Sequence, residues 1–371
     1  MKDPRLEKLA QVLVHYSTAV KPGELVVIGS GAPAEPLIRE LWREIIKAGG
    51  HPHLRLGLSG LNEIFYACAS EEQLDFVSPL AKYEIETFDK RIGIGAPENT
   101  RSMTNVDPAK QARVTKAHKP IFDRTMERTA KGDYSWVATM YPTNAAAQDA
   151  EMSLANFEDF VFGAGLLDRD DPVAAWKEVS AKQQKIVDYL NTAKKVHLEA
   201  ANGTDLTFSV EGRKWINCDG RINFPDGEIY TGPVEDSING TVAFSFPGIM
   251  GGREVDGIRM TYEKGRVVRA TAQKGEEFLL KMLDQDQGAR GMGEFAIGVN
   301  YGIQRFIRNT LFDEKIGGTI HIAVGAGYPE TGSVNKSGLH WDMVCDLRPG
   351  GRLTVDGKPL MENGKLVGFE I

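Results

Sequence analysis

Apolar positions along the chain change period repeatedly, and the changes predict an ordered series of elements. Residues 6–16 carry an amphipathic helical pattern, residues 24–28 a short buried-strand run, residues 35–48 a second helix and residues 53–56 a second strand. A strand, helix and strand in this order predict a parallel sheet. Residues 91–95 and 136–140 add strands, residues 108–128 a long helix, and residues 172–190 a helix that closes the domain. After Asn191 the texture shifts to short strands, at 196–200, 205–210, 242–245, 257–263 and 267–273, with Gly-containing turns between several of them. Lys264-Gly265 reads as a hairpin turn, and residues 276–286 as a helix. The prediction is an α/β protein: an N-terminal βαβ-type domain with a parallel sheet over residues 1–190, and a C-terminal mixed α+β domain over residues 191–371.

Composition narrows the class. With 371 residues, the chain has ample material for two cores. A net charge of −7 with no basic stripe argues against a nucleic-acid partner. Cys68, Cys218 and Cys345 are odd in number and far apart, which suits a reducing cytoplasm better than a disulfide framework. The N-terminal Met-Lys-Asp-Pro-Arg-Leu-Glu-Lys has no apolar core, so no secretion signal is expected. No stretch approaches the length of a membrane span.

Two of the seven histidines fall close together, on apolar segments that read as buried strands: His321, in His-Ile-Ala-Val-Gly-Ala-Gly-Tyr328, and His340, in His-Trp-Asp342. Residues i and i+2 of a strand share a face, so His340 and Asp342 project side by side. Glu228 follows a Pro/Gly turn at the start of a β-prone run, and Glu294 sits between glycines and an apolar segment. Neither lies among Lys and Arg at helical spacing, as a surface glutamate does. Glu228, Glu294, His321, His340 and Asp342 are more ligands than one ion needs. They suit a pair of divalent cations sharing one carboxylate. No thiol belongs to the set, which argues against a structural thiolate zinc site.

Gly29-Ser-Gly-Ala-Pro-Ala34 has the spacing of a dinucleotide-binding turn. The strand that should supply the ribose-binding acid reads His53-Leu-Arg-Leu-Gly57 and has none, and Pro33 and Pro36 remove amide donors. The segment is read as a plain helix start, with no cofactor-binding residue. His51 and His53 have no carboxylate nearby in sequence and are read as surface or domain-interface residues.

The motifs Phe224-Pro-Asp-Gly-Glu228, Gly293-Glu294-Phe-Ala-Ile-Gly298, Asp313-Glu-Lys-Ile-Gly-Gly-Thr-Ile-His321, Gly325-Ala-Gly-Tyr328 and His340-Trp-Asp342 occur in this order. With Ala96-Pro-Glu-Asn-Thr100, Tyr141-Pro-Thr143 and Met152-Ser153, they resemble the aminopeptidase T / aminopeptidase S family of dinuclear metallo-exopeptidases over essentially the whole chain. The resemblance implies Glu228, Glu294, His321, His340 and Asp342 as metal ligands and Tyr328 as the catalytic tyrosine. It further implies two divalent ions per chain (zinc, cobalt or manganese), peptide substrates with a free N-terminus, and a homodimer.

In the expected reaction, a water activated by two metals attacks a peptide carbonyl, and a carboxylate moves the proton to the leaving amine. Glu294, if loosely bound, and Glu314 are the two candidates for that carboxylate; Glu314 reads equally well as a surface ion pair with Lys315. Tyr328 is expected to donate to the oxyanion; without the resemblance it reads as a packed aromatic before Pro329. Two other functions remain in play. His321, His340 and Asp342 also form the two-histidine, one-carboxylate set of non-heme iron ring-cleaving dioxygenases, some of which are relatives of this family. A dioxygenase leaves Glu228 and Glu294 without a role. A non-enzymatic binding protein leaves the whole ordered set unexplained.

Overall fold

The computed structural model describes residues 3–371. The chain forms two compact units, Met1–Ala174 with Gly220–Pro225, and Ala175–Asp219 with Asp226–Ile371. The class is α/β, as the periodicity predicts: a parallel sheet in the first unit and antiparallel sheets in the second.

Among the described residues, the first unit is built on five parallel strands in the order His51–Gly57, Leu25–Gly31, Lys90–Gly95, Ser135–Met140 and Asn223–Phe224. Val26, Ile28 and Ile92 are fully buried in its centre. The helix Glu35–Lys47 turns Leu37, Ile38, Leu41 and Ile45 inward, the apolar stripe that its sequence spacing provides. Residues Gly29–Ala34 run from the end of a strand through a single 3-10 turn, Ala32–Ala34, into this helix. The strand His51–Gly57 is a sheet edge and leaves Leu54 and Leu56 exposed. The helix Leu61–Cys68 beyond it buries none of its side chains.

The second unit carries the expected short strands and adds several that periodicity did not reveal. An eight-stranded sheet runs Arg266–Thr271, Arg259–Glu263, Asn239–Ala243, Thr204–Ser209, Lys195–Ala200, Arg352–Val355, Lys358–Glu362, Lys365–Leu366. The hairpin joining its first two strands turns at Lys264 and Gly265, whose φ values of 46° and 80° are those of a type I′ turn. A five-stranded antiparallel sheet runs His340–Asp346, Thr319–Gly325, Met292–Gly298, Glu228–Thr231, Ile216–Cys218.

These two sheets share one core. Leu198, Leu206, Phe208 and Val242 of the larger join Ile229, Phe295, Ile297, Ile320, Ile322, Trp341 and Met343 of the smaller. Phe208 meets Phe295 with ring centroids 4.8 Å apart. Because side chains alternate along a strand, the residues between those core positions face the other way. They include Glu228, Tyr230, Glu294, Ala296, His321, Ala323, His340, Asp342 and Val344.

Candidate metal centre

Strand alternation turns the five acidic and histidine candidates to one face, and sheet register brings them within reach of one another. Ala323 is paired with Glu294 on one side and Asp342 on the other, so a methyl group separates two carboxylates. His321 lies opposite Ala296, and Glu228 opposite Gly298. The small residues on this face leave room above the sheet. Glu294 is reached through a β-bulge: Met292 pairs with Val324 and Glu294 with Ala323, leaving Gly293 as the extra residue. Glu228 follows Gly227, which has φ +122° and whose absent Cβ would lie 2.6 Å from Asn300 Cβ. Only glycine meets both conditions. Gln183, fully buried on the helix Pro172–Leu190, donates its amide to the Glu228 carbonyl and to Asn217 Oδ1, holding the edge of this sheet.

The distances form a chain. His321 Nε2 lies 3.5 Å from Glu228 Oε2 and 3.4 Å from Glu294 Oε1. His340 Nε2 lies 3.5 Å from Glu294 Oε2 and 3.5 Å from Asp342 Oδ1. Glu294 thus presents one oxygen to each imidazole. Glu294, His340 and Asp342 form one group of ligand-capable atoms within 4.8 Å of one another, and Glu228, Glu314 and His321 another.

The fit to cations rests on this chain's own hydrogen bonds. The Nδ1–H of His321 donates to the Glu314 carbonyl and that of His340 to the Ala326 carbonyl, each at 2.9 Å. A carbonyl only accepts, so Nδ1 carries a proton in each ring and Nε2 is the atom turned to the carboxylates. This is how metal-ligating imidazoles are oriented. Glu228 Oε2 and Asp342 Oδ1 are buried with no hydrogen-bond partner. Buried carboxylate oxygens without donors are costly unless a cation meets them.

The electrostatics agree. Burial pushes the Glu228 carboxyl up to about 8, with Glu314 and Asp226 adding to the rise and Lys315 opposing it. Glu294 is raised mainly by burial, against the hydrogen bond from His321. Burial draws the His321 and His340 imidazoles down, but their acidic neighbours raise them to about 10 and about 9. Burial raises Asp342, but the hydrogen bond and charge of His340, with His321 and Lys315, together hold it below the usual carboxylate range. Three carboxyl groups thus share two imidazoles, and the charge state of each is set by the others.

Tyr328 stands beside the cluster, edge-on to His340 at 5.1 Å and to Tyr230 at 5.5 Å. Desolvation and the charges of Glu294 and Asp342 push its phenol well above the usual range, so it stays a proton donor. Tyr230 donates to Glu330 Oε1 at 3.2 Å. As the i+2 neighbour of Glu228 on one strand, it shares that residue's face, a signal the two-residue repeat of a strand carries. Glu314 is no surface residue. Its partner Lys315 is fully buried, 3.7 Å from Glu228 Oε1, 4.0 Å from Asp226 Oδ1 and in close contact with Glu314 Oε1. Cys218 pairs in register with Glu228, and burial keeps it a thiol. Cys345 is buried in the core, as its apolar neighbours predict. A small cavity lined by Pro247, Ile249, Phe306 and Val344 opens beside Asp342 and Glu314.

Comparison with known proteins agrees with this arrangement. Residues 2–366 match the family described as thermophilic metalloprotease (M29). Aminopeptidase 2 of Geobacillus stearothermophilus is 28% identical, the match covering 98% of this chain and 97% of that protein. Aminopeptidase T of Thermus thermophilus is 28% identical over 90% of this chain and 87% of that one. The solved structure of wild-type AmpT from Thermus thermophilus superposes with a TM-score of 0.86 at 26% identity, covering 98% of this chain and 99% of that one. A 2,5-dihydroxypyridine dioxygenase from Pseudomonas putida KT2440 superposes with a TM-score of 0.57 at 12% identity over 99% and 97%. At that identity the likeness shows the fold alone, and the dioxygenase reading is not favoured. With a family match along almost its entire length, and a buried acid–imidazole cluster of the kind that holds cations, the chain belongs to the thermophilic metalloprotease (M29) family.

Proposed function

We propose that this chain is a metallo-aminopeptidase that releases N-terminal residues from peptides through a centre for two divalent cations. Zinc, cobalt and manganese all suit its nitrogen and oxygen ligands. The observation that carries the reading is the pair of imidazoles tied at Nδ1 to main-chain carbonyls, with both Nε2 atoms turned to buried carboxylates. Glu228 and His321 would hold one cation and His340 and Asp342 the other, with Glu294 between the two pairs.

When bound, the cations supply Lewis acidity that lowers the pKa of a water and polarises the peptide carbonyl. With Glu294 committed to both imidazoles, Glu314 takes the proton from the attacking water and returns it to the leaving amine. Tyr328 donates to the developing oxyanion. The acidic groups of the centre favour the substrate's free ammonium.

The enzyme acts as a homodimer in the cytoplasm. Apolar Leu54, Leu56, Leu61 and Ile64 lie exposed on the first unit, a surface that favours a second copy. The three free cysteines suit a reducing compartment. Among the described residues no helix is long and apolar enough to cross a membrane.

The test compares a short peptide with its N-acetylated form, before and after chelation. The free peptide is expected to be cleaved from its N-terminus only while metal is present. Equal rates on both forms, or full activity without metal, would overturn the reading.

A further inference from the structure

A centre built for cations ordinarily excludes fixed positive charge, yet Lys315 has no exposed surface and its ammonium faces Glu228, Glu314 and Asp226. Among the described residues, no lysine or arginine lies within ion-pairing distance of the carboxylates in the other half. Around Glu294, His340 and Asp342, the cations within ion-pairing distance of the carboxylates are the imidazoles themselves. The two halves therefore differ in charge. In the Glu228–His321 half a tethered ammonium lies within ion-pairing distance of the carboxylates; its charge reaches Asp342 in the other half only from farther away. A buried ammonium among carboxylates also cannot leave, because its stem is packed and its charge needs those partners.

We propose that Lys315 makes the centre electrostatically unequal, acting through Glu228 as a positioning residue that weakens cation binding at the Glu228–His321 half relative to the His340–Asp342 half. The inference rests on the two-cation reading above. Lys315 sets Glu228 in place, competes for its oxygens and repels an incoming dication. The His340–Asp342 half fills first and empties last.

The experiment is graded chelation of the zinc-loaded full-length enzyme, with retained metal read by elemental analysis. The wild type is expected to release its two ions in two steps. Lys315→Gln is expected to hold the weaker ion more tightly by about tenfold or more, because it removes a unit positive charge a few ångströms from the site, so that the steps converge, while Lys315→Arg keeps them apart. Should Lys315→Gln fail to fold, single-ion variants decide the matter. Glu228→Gln is expected to leave an ion with the tighter release midpoint, and His340→Ala one with the weaker. Two ions leaving the wild type together, unmoved steps in Lys315→Gln, or the reverse order in the single-ion variants would overturn this inference alone. A chain that never holds more than one ion would overturn the two-cation reading and this inference with it.

Discussion

Glu314 meets His321 twice. Its main-chain carbonyl accepts the imidazole Nδ1–H at 2.9 Å, and its carboxylate lies within 4.8 Å of the ring's ligand-capable atom. The two roles are separable, because a side-chain substitution leaves the carbonyl in place. Glu314→Gln is therefore expected to retain both metals, with His321 still oriented. Its kcat is expected to fall by about 10²–10⁴, the usual contribution of a general acid–base group. Metal stoichiometry measured beside kcat checks this; metal lost in step with activity would make Glu314 a ligand and not the proton carrier.

Tyr328→Phe isolates the phenol from the ring. The ring contacts with His340 and Tyr230 survive in the variant, so melting is expected to change little. Loss of one oxyanion donor is expected to lower kcat by about 10²–10³ with metal content unchanged. A near-normal kcat with full metal would reduce Tyr328 to a packing residue.

Phe208 lies on the opposite sheet from every proposed ligand, with its ring 4.8 Å from that of Phe295. Phe208→Ala leaves a cavity in the shared core and is expected to cost about 3–5 kcal/mol of stability. Denaturant unfolding of the metal-loaded protein measures it. A cost below about 1 kcal/mol would mean that the two sheets close over the gap.

The parts of this centre that lie on regular strands could be read in advance. His340 and Asp342 needed only the two-residue repeat of a strand, and Glu228 and Glu294 stood out because they lacked the charged surroundings of a helix surface. Lys315 could not be read this way. Next to Glu314 it looks like half of a surface pair, and its burial depends on a loop that closes nearby. Asp313 fixes that loop by accepting the Ile307 and Asn309 amides at 2.7 and 2.6 Å. Long-range pairing hid other elements. The strand Asn223–Phe224 is too short for any period, yet it pairs with Ala138 and Thr139 to extend the parallel sheet. The helix Leu61–Cys68 spaces Leu61, Ile64, Phe65 and Cys68 as an apolar stripe, but it is only eight residues long and buries none of them, so its pattern is too short to stand out.

Gly293 provides no ligand atom, but the centre depends on what it lacks. A Cβ at this position would lie 2.1 Å from the Ala326 carbonyl oxygen, the same oxygen that fixes the His340 ring. The smallest side chain beyond hydrogen would displace that oxygen, and the imidazole would lose its anchor without any acid or histidine having changed. Empty volume is thus a component of this centre in the same sense as its carboxylates. A survey of variants restricted to residues with something to donate would overlook one of the positions most able to abolish it.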